Sequence, residues 1–135
     1  MTFAEDGTLH FNGEQVHVFH VADAHTDGDA IVHFRRADAL HFGDTLFVGS
    51  YPFIDGNSGG TLPGMVAALD RALPLIGEKT RVIPGHGPLS GRAEVMAYRD
   101  MLATVHARLA AALAAGKSLE QVQAERPTRE FDERY

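Results

Sequence analysis

Hydrophobic and polar residues alternate along the first third of the chain, a period of two that is typical of β-strands with one buried face. Asn12-Gly13 lies between two such runs and is a strong signal for a tight hairpin turn. A second pair of runs predicts another hairpin, which turns at residues 35–38. The predicted strands cover residues 8–11, 15–21, 30–34, 39–42 and 45–48.

The spacing of apolar residues changes after residues 51–60, a predicted loop rich in Gly, Pro, Asn, Asp and Ser. From 62 to 76 they recur every three or four positions, which predicts a helix with Thr61 as its N-cap and Gly77 as its stop. The remaining predicted elements are a strand at 80–83, a long helix at 92–115 and a short helix between Ser118 and Pro127.

This order of elements predicts an α/β (α+β) fold in which helices cover one face of a mixed sheet. The chain has 135 residues, 44% of them hydrophobic, and contains no repeat, low-complexity tract or linker. We therefore expect a single domain over residues 1–135, with a charged and loosely ordered tail at about 127–135.

The overall charge narrows the range of partners. A formal net charge of −6 argues against nucleic acid, and no apolar stretch approaches the roughly 20 residues of a membrane span. The first residues are acidic and lack the apolar run of a signal peptide, so the chain as written is expected to be cytoplasmic, while the compartment of any longer parent protein stays unknown. Cysteine is absent, which excludes disulfides and thiolate ligands.

Three residues in glycine-marked loops form the strongest candidate site. His25, Asp44 and His86 each follow a strand-like run, where a rigid scaffold commonly places functional side chains. Imidazole and carboxylate are the usual ligands of catalytic zinc. Each residue alone would be read as an ordinary turn residue, and it is the ordered trio that favours a metal site.

The other histidines have simpler interpretations. His17 and His20 are three positions apart in a predicted strand, so they point to opposite faces and cannot chelate one metal together. The remaining histidines are interpreted as half-exposed strand residues or, on the long helix, as a surface residue: His10, His33, His41 and His106.

The motifs around the trio resemble those of the metallo-β-lactamase fold superfamily of metal-dependent hydrolases. The segment 25–29 is similar to that family's H-T-x-G-D motif, 41–44 to its G-D motif, and 84–87 to its P-G-H-G motif. Members of the family fold as an αββα sandwich made of two α/β halves. The resemblance, which spans about residues 11–115, implies that this chain corresponds to the C-terminal half of such a domain.

The resemblance also implies roles for the trio at a centre of one or two zinc ions. His25 would complete a first zinc site, Asp44 would bridge both metals, and His86 would belong to the second site. The other ligands in the family come from an upstream H-x-H-x-D-H motif, which this sequence lacks. Zinc binding by this chain alone is therefore expected to be partial or weak.

Three explanations of the missing motif remain open. The chain is a truncated product or fragment of a longer hydrolase, or it pairs with itself or with a complementary half-domain to rebuild the sandwich. In the third explanation it is a non-catalytic binding module that has lost the metal centre. The first two keep the chemistry of a zinc-dependent hydrolase acting on a small-molecule substrate, and the third does not.

Further residues are candidates for the surroundings of the metal. The loop after Asp44 could overhang the cleft, in which case Tyr51, Asp55 and Asn57 would touch substrate, although ordinary loop packing explains them equally well. Asp29 is expected either to cap a turn or to orient His25. The substrate class stays open, because similar metal centres in the family hydrolyse lactams, thioesters and phosphoesters.

Overall fold

The sheet has five strands in the order β1-β2-β3-β4-β5 across residues 2–135, the part of the chain that the computed structural model describes. The strands are β1 (Asp6–Phe11), β2 (Glu14–Val21), β3 (Asp29–Phe34), β4 (Ala39–His41) and β5 (Arg81–Ile83).

Two hairpins build most of this sheet. β1 pairs with β2 and β3 pairs with β4, both antiparallel, as the alternating pattern predicts. Asn12 and Gly13 adopt φ values of 50° and 75°, the left-handed backbone that a two-residue hairpin turn requires. β5 joins β4 in parallel, with Leu40 opposite Val82, so the sheet is mixed.

Three helices follow the hairpins within the described residues: α1 (Leu62–Ala72), α2 (Arg92–Ala114) and α3 (Leu119–Glu125). Thr61 caps α1, since its hydroxyl accepts a hydrogen bond from the Gly64 amide at 3.0 Å. α1 ends earlier than its apolar spacing predicts and continues as a 3-10 turn, Leu73–Leu75. Pro74 explains this, because proline has no N–H to donate and its ring disfavours a continuing α-helix.

The predicted strand at 45–48 does not form as a regular strand. Gly43–Thr45 is a 3-10 turn, and Phe47 makes only an isolated parallel bridge to His86. The Thr45 hydroxyl donates to the Phe42 carbonyl at 2.7 Å, and the Leu46 amide donates to the Gly43 carbonyl at 3.4 Å. These local bonds take up groups that a regular strand would have offered to its neighbour.

The core lies between one face of the sheet and α1 and α2. From the sheet it takes Phe19, Ile31, Leu40 and Val82, all fully buried or nearly so. From the helices it takes Met65, Leu69, Val95, Tyr98, Met101 and Leu102. The three-to-four-residue spacing that predicted the helices is thus the stripe that meets the sheet.

The opposite face of the sheet carries apolar side chains with no helix over them in residues 2–135. Strand alternation and the register place a set of residues there: Leu9, Phe11, Val16, Val18, Val32, Phe34 and Ile83. Leu9 is 44% exposed and Phe11 78% exposed. We call this set the open sheet face. The placement of the helices agrees with the predicted fold class.

The tail differs from the expected loose segment. Phe131 and Tyr135 pack against the core, and Arg108 lies 2.8 Å from the Glu130 carboxylate. The reason is apolar burial, since both aromatic rings remove surface from water by folding back onto the domain. No helix in residues 2–135 combines the length and the hydrophobicity that crossing a membrane requires.

Candidate metal centre

The Asp44 carboxylate lies between the two loop histidines. Its Oδ1 atom is 3.3 Å from His86 Nε2, and its Oδ2 atom is 3.8 Å from His25 Nε2. The His25 side chain is only 17% exposed, whereas 57% of the His86 side chain is open to solvent. The structure therefore brings all three predicted ligand residues together at one edge of the sheet.

Parallel pairing of β4 and β5 creates this proximity. Asp44 follows β4 and His86 follows β5, so both lie beyond the carboxyl ends of neighbouring parallel strands. The Val48 amide donates to the His86 carbonyl at 2.9 Å, which extends the contact between the two segments. His25 reaches the same edge from the turn between β2 and β3.

The orientation of His25 is set from a distant loop. Its Nδ1 atom is 2.8 Å from the carbonyl oxygen of Phe53. A carbonyl can only accept, so Nδ1 carries the proton and a neutral ring keeps the lone pair on Nε2. The unprotonated Nε2 lies 3.8 Å from Asp44 Oδ2, and metal ligation by Nε2 would require it to be unprotonated.

The orientation of His86 comes from an aromatic neighbour. Its imidazole stacks on Phe47, with centroids 4.6 Å apart and planes inclined by 11°. Phe47 is itself 7% exposed and belongs to the core, so it offers a fixed platform. The stacking restrains a side chain that would otherwise rotate freely in solvent.

Two glycines around His86 allow the loops to approach each other. A Cβ atom on Gly85 would collide with the Gly43 carbonyl and with Asp44 Oδ1. Gly87 has a φ of 104°, and a Cβ there would collide with the Val48 carbonyl. His86 can lie beside Asp44 only because both of its neighbours in sequence are glycines.

The donors suit part of a zinc site. Two donors bound tetrahedrally to one ion at about 2.0 Å lie about 3.3 Å apart, close to the separation between His86 and Asp44. However, residues 2–135 contain no group of three or more His, Cys, Asp or Glu side chains arranged to hold a metal by themselves. The trio offers ligands of the right chemistry but not a closed coordination shell.

The loop residues expected near substrate have other partners. The Tyr51 hydroxyl donates to Asp132 at 2.8 Å, which ties it to the tail. The Asp55 carboxylate accepts hydrogen bonds from the Asn57 and Ser58 amides and the Ser58 hydroxyl, and these bonds, the hydroxyl foremost, lower its pKa. Asn57 is exposed in the same turn.

Asp29 acts within the turn that carries His25. Its carboxylate accepts a hydrogen bond from the Thr26 amide at 2.7 Å, and the Thr26 hydroxyl accepts one from the Gly28 amide at 3.1 Å. These bonds hold the turn compact. Asp29 thus caps the turn, one of the two roles expected for it.

Sequence reasoning missed three residues that organise the site: Phe47, Phe53 and Gly85. The sequence pattern predicts Phe47 only as part of a strand. Phe53 contributes a main-chain carbonyl, which leaves no trace in the identity of its side chain. Gly85 was noted as part of a motif, and the short distance to Asp44 is the physical reason for a glycine there.

The fold is similar to that of several solved structures. A metallo-β-lactamase from Pontibacter korlensis matches with a TM-score of 0.64 and 22% identity, over 76% of this chain and 47% of that one. The B3 metallo-β-lactamase BLEG-1 matches with a TM-score of 0.60 and 29% identity, over 76% and 47% of the two chains. The sec-alkylsulfatase Pisa1 from Pseudomonas sp. matches with a TM-score of 0.69 and 17% identity, over 92% and 21%.

No protein-family model and no curated protein sequence matches the chain. The chain spans less than half the length of the two lactamases that it matches. The mixed five-stranded sheet, the helices on one face and these structural matches agree. The chain therefore has part of a metallo-β-lactamase fold.

Proposed function

We propose that this chain provides one part of a zinc-dependent hydrolase centre, with His25, Asp44 and His86 as its metal ligands. The observation that carries the proposal is the position of Asp44, which turns one carboxylate oxygen toward each histidine. A carboxylate in that position suits a ligand that bridges two metals. In this proposal His25 and His86 serve separate ions of one centre.

The residues of the chain supply orientation and electrostatics. Phe53 holds the proton on His25 Nδ1, and Phe47 restrains the plane of the His86 ring. Asp44 supplies negative charge between them. Zinc, when bound, supplies Lewis acidity that makes water reactive near neutral pH. The substrate is a small molecule, and the solved neighbours named as lactamases and an alkylsulfatase do not narrow its class further.

The incomplete ligand set calls for a second polypeptide layer. We propose that it packs on the open sheet face, either as a complementary half-domain that brings the remaining ligands or as a second copy of this chain that contributes its own His25, Asp44 and His86. Contiguous apolar surface of this kind is rare on soluble monomers, so the face itself favours a partner.

A calorimetric zinc titration tests the metal ligands. His86→Ala should weaken binding about tenfold or more, because it removes a donor rather than a supporting contact. His10→Ala is the matched control, since His10 is an exposed histidine on β1. Equal affinity in the wild type and His86→Ala would remove His86 from the site.

The absence of a complete ligand group in residues 2–135 favours the non-catalytic binding module as the rival function. Adding a separate segment that carries an H-x-H-x-D-H motif discriminates between the two. Hydrolysis of a chromogenic lactam, a thioester or a phosphodiester that appears on mixing and disappears with chelator would exclude the module. If zinc does not bind even in the mixture, the hydrolase proposal fails.

A further inference from the structure

The loop formed by residues 53–60 is folded back onto the turn that carries His25, and two hydrogen bonds join it to this residue. The Phe53 carbonyl receives the His25 Nδ1 hydrogen bond at 2.8 Å. The Asp55 amide donates to the His25 carbonyl at 2.9 Å. The ring and the backbone of one candidate ligand are therefore both fixed by a segment that lies well beyond it in sequence.

The Asp55 carboxylate holds this loop in shape. It accepts from the Asn57 amide at 3.0 Å, the Ser58 amide at 3.3 Å and the Ser58 hydroxyl at 2.7 Å. The turn that it closes presents the Ser58 carbonyl to the Asp27 amide at 2.9 Å. The Asp55 carboxylate thus fixes the turn that follows its amide's contact with His25, and this turn anchors the loop on the His25 segment through Asp27.

The end of the loop fits His25 without spare room. A Cβ atom on Gly60 would collide with the His25 carbonyl, and Gly59 has a φ of 87°. The Gly60 amide donates to the Asp55 carbonyl at 2.9 Å. The loop therefore has one close-packed arrangement against the His25 turn, and in it the Phe53 carbonyl faces Nδ1.

We infer that Asp55 is a positioning residue that acts through the 53–60 loop to hold His25 in the tautomer protonated at Nδ1, with Nε2 free for a metal. The use of that tautomer in metal binding rests on the proposed function. The tautomer itself is a property of the metal-free chain. The carboxylate of Asp55 is engaged inside the loop, which separates this role from contact with substrate.

The test is long-range ¹⁵N–¹H NMR of the histidine rings in metal-free protein, at a pH where the imidazoles are neutral. The wild type should show His25 protonated at Nδ1. Asp55→Ala should lose that single form and show a large fraction protonated at Nε2. Asp55→Asn keeps an oxygen acceptor and should restore most of the wild-type signal. Asn57→Ala is the matched control, because only its main-chain amide takes part.

Zinc titration of the same variants measures the consequence. Asp55→Ala should lower affinity by about 10- to 100-fold, the range typical for loss of a partner that orients a ligand. If Asp55→Ala does not fold, Ser58→Ala removes one of the three bonds to the carboxylate and should still release part of the other tautomer.

The outcomes are distinct. A wild-type His25 protonated at Nε2, or an unchanged tautomer in a folded Asp55→Ala, overturns the positioning role. A tautomer shift in Asp55→Ala together with no zinc binding by any variant overturns the proposed metal function and leaves the positioning of the ring standing.

Discussion

Gly85 lies so close to Asp44 that a single added methyl group would collide with the Asp44 Oδ1 atom. The same methyl would strike the Gly43 carbonyl, so the clash cannot be relieved by rotating the carboxylate alone. The bridge between the two candidate histidine ligands thus depends on a residue that has no side chain.

Gly85→Ala should therefore impair zinc binding without removing a ligand. We expect a loss of affinity of about tenfold or more, together with destabilisation of roughly 1–3 kcal/mol from the forced shift of the backbone. Zinc calorimetry and urea unfolding measure the two effects. Gly77→Ala is the control, because its added Cβ would make only an ordinary contact, 3.5 Å from the Thr80 hydroxyl, away from the site. Wild-type affinity in Gly85→Ala would show that Asp44 does not need its observed position.

Removing the hydroxyl of Tyr98 should stabilise the protein. The hydroxyl is buried and has no hydrogen-bond partner in residues 2–135. Burial raises its pKa, and the nearby Phe47 backbone opposes that rise only in part. A nearby main-chain dipole does not replace the hydrogen bond to water that burial removes, so the unpartnered hydroxyl destabilises the folded state.

Tyr98→Phe keeps the ring in the core and should raise the free energy of unfolding by about 1 kcal/mol. Urea unfolding at neutral pH measures it, and Tyr135→Phe serves as the comparison at a partly buried position. A loss of stability in Tyr98→Phe would mean that the hydroxyl has a partner after all.

Acid should loosen the docked tail. The hydrogen bond from the Tyr51 hydroxyl is the main cause that lowers the pKa of Asp132 in the folded state. Contacts with Thr128 and Arg126 lower it further. In the unfolded chain an aspartate has a pKa of about 3.9. As the pH falls, the unfolded chain therefore takes up the proton before the folded protein does. The contribution of Asp132 is present above that value and is lost below it.

Asp132→Asn should accordingly flatten the decline in stability between about pH 5 and pH 3, compared with the wild type. Urea unfolding over this range measures the slope. Glu133→Gln is the control, an exposed neighbour in the same tail. Parallel profiles for the wild type and Asp132→Asn would show that the bond to Tyr51 contributes nothing.

The open sheet face should drive association of the isolated chain. Burial of apolar surface is worth roughly 25 cal/mol per Å², before the entropy lost on association is subtracted. We expect a homo-oligomer or aggregate whose mass in light scattering rises with concentration. A monodisperse monomer at high concentration would show that the single layer is self-sufficient.

Substitutions identify the face that associates. Phe11→Lys places a charge on the open sheet face and should shift the mass toward the monomer. Leu113→Lys is the control on another surface, since Leu113 is equally exposed, at 79%, but lies on α2. If only Leu113→Lys yields monomer, the helices and not the sheet form the contact.

Local pattern predicts most of the elements, because each depends on neighbours in sequence. The Asn12-Gly13 turn, the Thr61 cap and the start of α2 at Arg92 all follow from residues within a few positions. The early end of α1 also had a local sign in Pro74, which the apolar spacing outweighed.

Tertiary contacts were harder to predict. The bond between His25 and Phe53 uses a carbonyl, a group that every residue carries. The docking of Phe131 and Tyr135 depends on core residues from distant parts of the chain. Two aromatic residues in an otherwise charged tail do, however, indicate a segment that can pack against the core. The proximity of Asp44 and His86 could be predicted because the ends of neighbouring parallel strands bring their loops together, and the role of the trio as metal ligands stays a prediction.

The parallel pairing of β4 with β5 also has a consequence for the order of folding. Both hairpins close from residues near each other in sequence, whereas β5 can join β4 only after the segment containing α1 has looped back, and such distant closures are the slow ones. We therefore expect Asp44 and His86 to become neighbours late in folding. A cation that binds both residues binds only the form in which β5 is paired with β4. At a free cation concentration [L], it adds RT ln(1 + [L]/Kd) to the stability of that form and so favours the strand pairing that is expected to form last.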